Sequence, residues 1–528
     1  MSAFYITTAI EYANGEPHLG HAFEKIGADA IARYHRLRGD TVHLLVGTDD
    51  HGLKVARAAA ASGVAPREQA DRISAIFRRT WDTLGIRYDR FVRTTAPHHA
   101  AGVHALIARI IERDPSAFYE RAYDGWYCVG CEAFRTPREL EDGRCPVHPT
   151  LDVERVAESN WFFRLSAHQQ FLAEFLRTSP GFVRPPSRYN EIVAFVERGL
   201  EDVSITRAST DWGIPFPLAA SDGRHQAIYV WFDALPSYLT AAGYPEPGGE
   251  IAWPAQVHVV GKDITRFHCV LWPAVLRAAD LPLPESVWAH GFVTAGGARL
   301  SKTAGVWIDL DEAIARHGAD ALRYFLLREV PFDSDGDFSW DRFDARYTAD
   351  LANTLGNLTS RVTALIAKWR GGRVPAPPVD EAVSEPARAE LRRLTDRDDH
   401  SVEQYVDAFD SYLPHAALAA VWSTLGAANE AVSRLAPWRL AGEPAGQPSF
   451  DATVWYLVRV LARQAVLLAP VLPAKADELW QTLGGPGSVH DQRIADLGTV
   501  DPTAWRVVPG LVLFRRPARA TPTAGRGE

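Results

Sequence analysis

The chain has 528 residues, too many for one hydrophobic core, and this length predicts about three to four domains. Its composition, 47% hydrophobic and 23% charged, is typical of a soluble protein. No apolar run reaches the ~18 residues of a membrane span and no signal-peptide pattern opens the chain, so we expect a cytoplasmic protein. The net charge of −9 excludes nucleic-acid binding through overall charge, so such a partner needs a local basic patch.

The first part of the chain alternates apolar runs ("AFYITTAI", "TVHLLVG") with stretches of helical periodicity, which predicts a parallel, doubly wound sheet. After the first strand, "EPHLGHAFEKIGAD" places His18 and His21 near the N-terminus of a helix. Helix N-termini attract anions, and Gly20 lets a ligand approach the backbone closely. A phosphate group is the candidate ligand, although the motif is short enough to arise by chance.

A cysteine cluster follows in "CVGCEAFRTPRELEDGRCPVH". Cys128 and Cys131 form a Cys-x-x-Cys pair, and Cys145 and His148 complete a tetrahedral Cys₃His set. Four protein ligands leave no open coordination position, so we predict one structural Zn²⁺. The alternative is a group of ordinary reduced cysteines. The irregular, aromatic-rich region around this cluster is interpreted as an insertion.

Strand and helix alternation resumes with "QAIYVWFDAL" and "QVHVVGKDITRFHCVLWPAVL", which we predict to form the second half of the sheet. Gly261, Asp263 and His268 follow the strand "VHVV", where ligands of open α/β sheets bind. A glycine with a neighbouring acid can hold a ribose. The alternative for His268 is an imidazole satisfied on a helix face.

The glycine-rich stretch "GGARLSKTAG" presents Arg299 and Lys302 on a turn. Cations on a loop suit a polyphosphate whose charge must be stabilised as it departs, and the alternative is a solvated basic loop. Beyond "DSDGDFSW" the chain is predicted to be helical from Ala349 to about Leu483, with the Gly/Pro segment "GGRVPAPPVDEAVSEP" as a loop.

Together these features resemble class I aminoacyl-tRNA synthetases, because "HLGH" and "RLSKT" correspond to the two signature motifs of that class. Nearly the whole chain is similar to the methionyl-tRNA synthetase family in particular. The collinear matches are "YANGEPHLGH", "GTDDHG", "YCVGCE", "GLEDVSITR", "DWGIPFP", "YVWFDAL", "GKDITRFH", "DALRYFLLRE" and "APWRLA".

The resemblance implies an α/β catalytic domain with a Rossmann-like, doubly wound parallel sheet, a zinc-knuckle insertion and a C-terminal helical bundle. The expected boundaries are 1–117 and 221–300 for the two halves of the catalytic domain, 118–220 for the insertion, 301–348 for the signature loop and stem-contact region, 349–515 for the anticodon-binding domain, and 516–528 for a disordered tail.

The resemblance also implies a two-step reaction. L-methionine and ATP, with Mg²⁺, form methionyl-adenylate and diphosphate, and the methionyl group then passes to the terminal adenosine of tRNA(Met). The implied catalytic residues are His18, His21, Arg299 and Lys302, which would stabilise charge on the phosphates. The implied ATP-binding residues are Gly20, Gly261, Asp263, Gly291, Val293 and Lys302.

Two further residue sets follow from the same resemblance. Asp49 would pair with the methionine α-ammonium, and an apolar slot would hold the thioether. The slot residues are Ile10, Tyr12, Trp231, Ala234, Leu235, Tyr238, Ile264, Phe267, His268 and Trp272. The residues matching the family's anticodon readers are Asn357, Arg361 and Trp438.

Departures from the family pattern leave two alternatives open: a specialised or inhibitor-tolerant duplicate, and a catalytically silent tRNA-binding paralogue. Arg299 stands where the family usually has lysine, and Thr303 where it usually has serine. Glu11 replaces a proline or aromatic residue beside the pocket, and we expect its carboxylate to point away from the ligand. No appended C-terminal tRNA-binding domain is recognised, which predicts a monomer.

Overall fold

The computed structural model describes residues 2–130, 133–135, 137–146, 151–246, 251, 253–300 and 308–515. In chain order the strands are β1 (Ala3–Thr8), β2 (Glu11–Tyr12), β3 (Thr41–Asp49), β4 (Arg90–Arg93), β5 (Phe118–Cys128), β6 (Ala133–Arg135), β7 (Glu154–Phe163), β8 (Val183–Arg184), β9 (Val203–Ser204), β10 (Thr206–Arg207), β11 (Ala227–Ile228), β12 (Val257–Gly261), β13 (Val287–His290), β14 (Val293–Ala295), β15 (Ala298–Arg299) and β16 (Gly336–Asp337).

The α-helices are α1 (Leu19–Arg38), α2 (Leu53–Ser62), α3 (Pro66–Thr83), α4 (Pro97–Arg113), α5 (Gln169–Thr178), α6 (Pro186–Glu197), α7 (Val230–Ala234), α8 (Ser237–Thr240), α9 (Trp272–Ala278), α10 (Leu310–His317), α11 (Ala319–Glu329), α12 (Trp340–Arg346), α13 (Asn357–Arg370), α14 (Glu385–Asp410), α15 (Pro414–Leu435), α16 (Pro437–Leu440), α17 (Gln447–Leu468) and α18 (Pro473–Leu483). Two wider π-helical turns, Phe267–Leu271 and Tyr347–Gly356, precede α9 and α13. No described helix is long and apolar enough to cross a membrane.

The chain divides into two compact units. The first comprises the segment up to Ala32 together with Asp40–Phe292, and the second comprises Arg33–Gly39 together with the chain from Val293 onward. The first unit contains a seven-stranded sheet in the order β2-β3-β1-β12-β13-β8, with β4 also pairing with β3. All of these pairings are parallel, as the sequence predicted.

The central strands of the parallel sheet are buried on both faces. Five of the six β1 residues are buried, and every residue of β12 and β13 is buried. Continuous apolar runs of this kind are typical of strands covered by helices on both sides. Phe118–Cys128 forms a long antiparallel pair with β7 in a separate four-stranded sheet, which lies in the segment predicted as an insertion.

Two features of the first unit differ from the sequence predictions. The stretch "QAIYVWFDAL" adds no strand to the parallel sheet, because only Ala227–Ile228 is extended and α7 follows directly. A short run that is apolar at every position does not distinguish a buried strand from a buried helix. The second difference is strand β8 (Val183–Arg184), which lies in the predicted insertion but pairs with β13 in the main sheet.

The second unit is mainly helical from Leu310 to Leu483, and its helices begin before the predicted start at Ala349. A three-stranded sheet, β15-β14-β16, precedes them in the chain. The guanidinium of buried Arg323 donates hydrogen bonds to the carbonyl oxygens of Val471 (2.9 Å) and Pro470 (2.8 Å), which fixes α11 to the turn before α18. The predicted tail, 516–528, lies outside the described residues.

Candidate active site

The carboxyl ends of the central strands meet at one edge of the parallel sheet. β3 ends at Asp49, β12 at Gly261 and β13 at His290, while the loop after β1 leads into the histidine pair. Because Gly261 pairs with His290 and Tyr12 pairs with Asp49, side chains that are distant in sequence converge here. This edge is where open α/β sheets bind ligands.

The two signature histidines form a reciprocal cap at the start of α1. The backbone N–H groups of Gly20 and His21 donate to His18 Nδ1 at 3.1 and 3.4 Å. In return the His18 backbone N–H donates to His21 Nδ1 at 3.3 Å. The rings stack with their centroids 3.6 Å apart. This exchange resembles a capping box, in which two side chains, usually a hydroxyl and a carboxylate, each accept a hydrogen bond from a free backbone N–H group at the start of a helix.

The cap fixes the tautomer of both imidazoles. Because each Nδ1 accepts a backbone hydrogen bond, the proton of each neutral ring resides on Nε2. Burial, reinforced by His18 and Lys25, lowers the pKa of His21 well below its usual value, so that ring is neutral at pH 7. A Cβ at Gly20 would lie 3.0 Å from His18 Cε1, so a larger residue at this position would push on the His18 imidazole. The pair therefore offers Nε2–H donors at a helix N-terminus.

The predicted nucleotide residues of the first unit lie at the same edge. A Cβ on Gly261 would lie 2.8 Å from Asp263 Oδ1, so a larger residue would displace that carboxylate. Asp263 is exposed, and the Gly291 carbonyl accepts a hydrogen bond from His290 Nδ1 at 2.8 Å. Val293 is buried in β14 of the second unit.

The signature loop is described only in part. Arg299 lies in β15, where its backbone pairs with Thr294, and Lys302 lies outside the described residues. The catalytic role of Lys302 therefore stays a prediction from the sequence.

An aromatic cluster lies in the first unit and contains most of the predicted methionine slot. Trp231 stacks on Phe267 with ring centroids 4.0 Å apart and planes 3° apart. Tyr12 meets Trp231 edge to face at 6.4 Å, and His268 meets it edge to face at 6.0 Å. The π-helical turn Phe267–Leu271 brings Phe267 and His268 to this cluster, and turns of this type are frequent at functional sites.

A buried hydrogen bond orients the polar members of this cluster. The His268 Nδ1–H donates to the Ile264 carbonyl at 3.1 Å, so His268 Nε2 accepts the Tyr238 hydroxyl proton at 2.7 Å. Burial lowers the pKa of His268 to about 4, which keeps the ring neutral. Tyr238 and His268 are thus paired with each other, and the imidazole is uncharged, which suits a neighbouring apolar thioether. The other predicted members, buried or packed against the same core, are Ile10, Ala234, Leu235 and Trp272.

Two buried charge clusters beside the site were missed by the sequence analysis. Asp233 is fully buried, and its carboxylate bonds His51 Nδ1 at 2.7 Å and His99 Nε2 at 2.8 Å. Burial acts to raise the pKa of Asp233, but the two histidines outweigh it and the pKa is lowered. His51 lies in "GTDDHG", two residues after Asp49. Its hydrogen bond to Asp233 therefore attaches the loop that follows Asp49 to helix α7. The histidine of "GTDDHG" was the sequence feature that could have indicated this cluster.

The second cluster involves Glu11, the residue expected to point away from the ligand. Its carboxylate is buried and ion-paired with Lys25 Nζ, which also bonds Glu24 Oε1 at 2.6 Å. The charge of Glu11 is therefore matched inside the protein. Lys25 follows His21 by one helical turn, and nothing in its spacing distinguished it from a surface lysine.

The predicted zinc ligands are described only in part. Cys128, at the end of β5, and Cys145, beside the Glu141–Arg144 bridge, are both buried. Cys131 and His148 lie outside the described residues, and among the residues described no group of three or more His, Cys, Asp or Glu side chains could hold a metal ion. Two buried thiols in the predicted insertion are compatible with a zinc knuckle, which stays a prediction.

The predicted anticodon readers lie in the second unit. Asn357 begins α13 and is exposed, and Arg361 follows one turn later. The Arg361 guanidinium lies 5.9 Å from the Trp438 ring centroid, and Trp438 is 45% exposed. Ala436, in the left-handed conformation (φ 45°), and Pro437 present this tryptophan at the start of α16. An exposed aromatic beside a cation is suited to stacking with single-stranded bases.

Comparisons with known proteins agree with this geometry. A family model described as "tRNA synthetases class I (M)" matches residues 4–154 and 137–363, and one described as "Anticodon-binding domain of tRNA ligase" matches residues 393–505. The Methionine--tRNA ligase of Streptomyces coelicolor is 39% identical over 533 residues, covering 97% of this chain and 96% of the relative. That of Brucella suis is 43% identical over 489 residues, covering 92% of each chain.

A solved structure is similar over the same range. Mycobacterium tuberculosis methionyl-tRNA synthetase in complex with methionyl-adenylate matches with a TM-score of 0.91 and 39% identity, covering 98% of this chain and 100% of that one. The parallel sheet, the histidine pair on its first helix and the matching models define a class I aminoacyl-tRNA synthetase. Within that class, the chain belongs to the methionyl-tRNA synthetase family.

Proposed function

We propose that this chain is a methionine–tRNA ligase, which activates L-methionine with ATP and transfers the methionyl group to the terminal adenosine of tRNA(Met). The observation that carries this proposal is the match, along nearly all of both chains, to a structure described as a complex with methionyl-adenylate. Of the residues that would contact such an intermediate, those of the first unit lie at one edge of its parallel sheet.

The histidine pair would act on the triphosphate. As the methionine carboxylate attacks the α-phosphorus, negative charge accumulates on the departing diphosphate. The two Nε2–H groups and the N-terminus of α1 provide donors that strengthen as this charge develops. Because the cap already orients both rings, little reorganisation is needed at that moment.

The aromatic cluster would hold the amino acid. The stacked Trp231 and Phe267 rings form a wall suited to a flexible, polarizable thioether. Asp49, at the carboxyl end of β3, would pair with the α-ammonium and orient the carboxylate toward ATP. Trp231, Phe267 and the neutral His268 carry no charge that could pair with a charged amino-acid side chain.

Two metal ions, Mg²⁺ and Zn²⁺, would support the reaction and the fold. The hard cation Mg²⁺ would be held mainly by phosphate oxygens of ATP and would supply charge neutralisation. The soft thiolates of Cys128 and Cys145, with Cys131 and His148, would hold Zn²⁺ in a closed structural site. Chelation is expected to destabilise the insertion around β5–β7 without touching the reacting groups.

Purified protein distinguishes this function from its alternatives. We expect methionine-dependent exchange of diphosphate into ATP together with methionylation of tRNA(Met). Absence of both activities would favour the silent tRNA-binding paralogue. Normal exchange with poor charging of elongator tRNA(Met) would favour a specialised duplicate.

Replacing Trp438 by alanine is expected to impair tRNA charging and to spare diphosphate exchange. The exposed ring would stack with anticodon bases, and such stacking contributes about 1–3 kcal/mol per base. Both assays would be run on one preparation, with buried Trp480→Phe as a fold control. Equal losses in both assays would indicate unfolding rather than lost recognition.

The monomeric state and the cytoplasmic location stay predictions of the sequence analysis. Light scattering during size-exclusion chromatography measures the first. The mass expected for one chain is 58.2 kDa.

A further inference from the structure

A buried ammonium ties the first helix to the segment that carries Ile10 and Tyr12. Lys25 is fully buried, and its Nζ donates to the Ala9 carbonyl at 2.8 Å and to Glu24 Oε1 at 2.6 Å. The Glu11 carboxylate is its third partner. An ammonium has three N–H donors, so every donor of Lys25 is used.

The cluster continues to the opposite side of the site. The second oxygen of Glu24, Oε2, lies 3.0 Å from His290 Nε2. His290 Nδ1 in turn donates to the Gly291 carbonyl at 2.8 Å. One buried chain of charged and polar groups therefore connects β2, next to the methionine slot, with the end of β13, next to the nucleotide candidates.

The charges in this cluster depend on one another. Burial raises the pKa of Glu11 to about 7, with Lys25 opposing the rise and Glu24 reinforcing it. Burial also disfavours the charged form of Lys25, but the two carboxylates outweigh it and raise the pKa of the amine. Two carboxylates that share one ammonium repel each other as soon as that ammonium is removed.

We propose that Lys25 is a positioning residue for methionine, because it holds the Ala9 carbonyl and the Glu11 carboxylate and so fixes the strand that presents Ile10 and Tyr12. This inference rests on the proposed function of the site. Glu11, which departs from the usual residue of the family, is one of the two carboxylates that compensate the buried ammonium. Neither side chain touches the reacting atoms.

The proposal predicts a selective defect in Lys25→Met, a variant of similar length without the charge. Lost charge-assisted hydrogen bonds are expected to raise the KM for methionine about tenfold or more, with a much smaller change in kcat and in the KM for ATP. The readout is diphosphate exchange at varied methionine and at varied ATP, with equilibrium methionine binding measured in parallel.

The pH dependence separates this role from a purely structural one. Without the ammonium, Glu11 and Glu24 can share a proton at low pH but repel each other once both ionise. Because Lys25 lowers the pKa of Glu11, its removal moves that pKa above about 7, and the defect of Lys25→Met is therefore expected to grow as the pH rises above 7. Other titratable groups that interact with this cluster or its immediate neighbours are His21, Asp49, Tyr238, His268 and His290. They are present in the wild type and in every variant, so the comparison between variants isolates the pH dependence that comes from Glu11 and Glu24.

A second change provides the matched control. Adding Glu11→Gln to Lys25→Met removes one carboxylate, so the double variant is expected to lose the added pH dependence, while the rise in KM that comes from the lost Ala9 hydrogen bond remains. Glu11→Gln alone should change the KM for methionine little, because Lys25 keeps its hydrogen bonds to the Ala9 carbonyl and to Glu24. Equal rises in both KM values, an unchanged KM for methionine, or an added pH dependence that persists in the double variant would overturn the proposal. If the single variant does not fold, the affinity and pH profile of the double variant decide.

The failure of this inference is distinguishable from failure of the proposed function. Wild-type protein that exchanges diphosphate while Lys25→Met shows no selective defect contradicts the positioning role only. Wild-type protein that neither binds nor activates methionine contradicts both.

Discussion

Replacing His18 by asparagine is expected to lower the rate of methionyl-adenylate formation by about 10²–10³-fold, the usual cost of one lost transition-state donor. Asparagine is among the best helix N-cap residues, and its amide oxygen can accept from the Gly20 and His21 N–H groups as His18 Nδ1 does. What it lacks is the Nε2–H group. The variant therefore removes the donor and keeps the cap.

His18→Ala is the matched comparison, because it removes the donor and the cap together. It should lose a similar factor in rate and, in addition, about 1 kcal/mol in the free energy of unfolding. Diphosphate exchange reports the first effect and urea denaturation reports the second. Wild-type rates in His18→Asn would show that the ring serves only to start α1.

Replacing Lys302 by alanine is expected to have an effect of the same order. The resemblance places its ammonium against the phosphates, where charge develops during diphosphate departure, so adenylate formation should fall about 10²–10³-fold. Methionine affinity should barely change, since an interaction made only in the transition state does not affect substrate binding.

Arg299→Lys provides the control for Lys302→Ala, because it restores the residue usual in the family and keeps the positive charge. It should change the rate far less than Lys302→Ala. Single-turnover adenylate formation and calorimetric methionine binding are the two measurements. An unchanged rate in Lys302→Ala would remove this loop from the mechanism.

The sequence predicted the parallel sheet correctly because its strands are short, apolar and separated by helices of clear periodicity. β1 and β3 occupy "AFYITTAI" and "TVHLLVG" as expected. "QAIYVWFDAL" was wrongly predicted to contribute to the parallel sheet, since a run that is apolar at nearly every position does not distinguish a strand from a buried helix. Strand β8 was missed because two residues give no pattern at all.

The candidate site was predictable where chemistry is concentrated in short motifs, and less so where it depends on tertiary burial. His18 and His21 precede and begin a helix, as their position after a strand indicated. Lys25 and Asp233 were not selected, because a lysine or an aspartate in a sequence does not show that the fold will enclose it. Only the structure shows that Lys25 has two carboxylates within reach.

The most direct test of the account is the exchange of labelled diphosphate into ATP, measured with each of the twenty amino acids in turn. The site described here, a neutral aromatic slot beside two oriented imidazoles, predicts exchange with methionine and none of comparable rate with the others. Exchange that depends on a different amino acid, or no exchange with any of them, would contradict it.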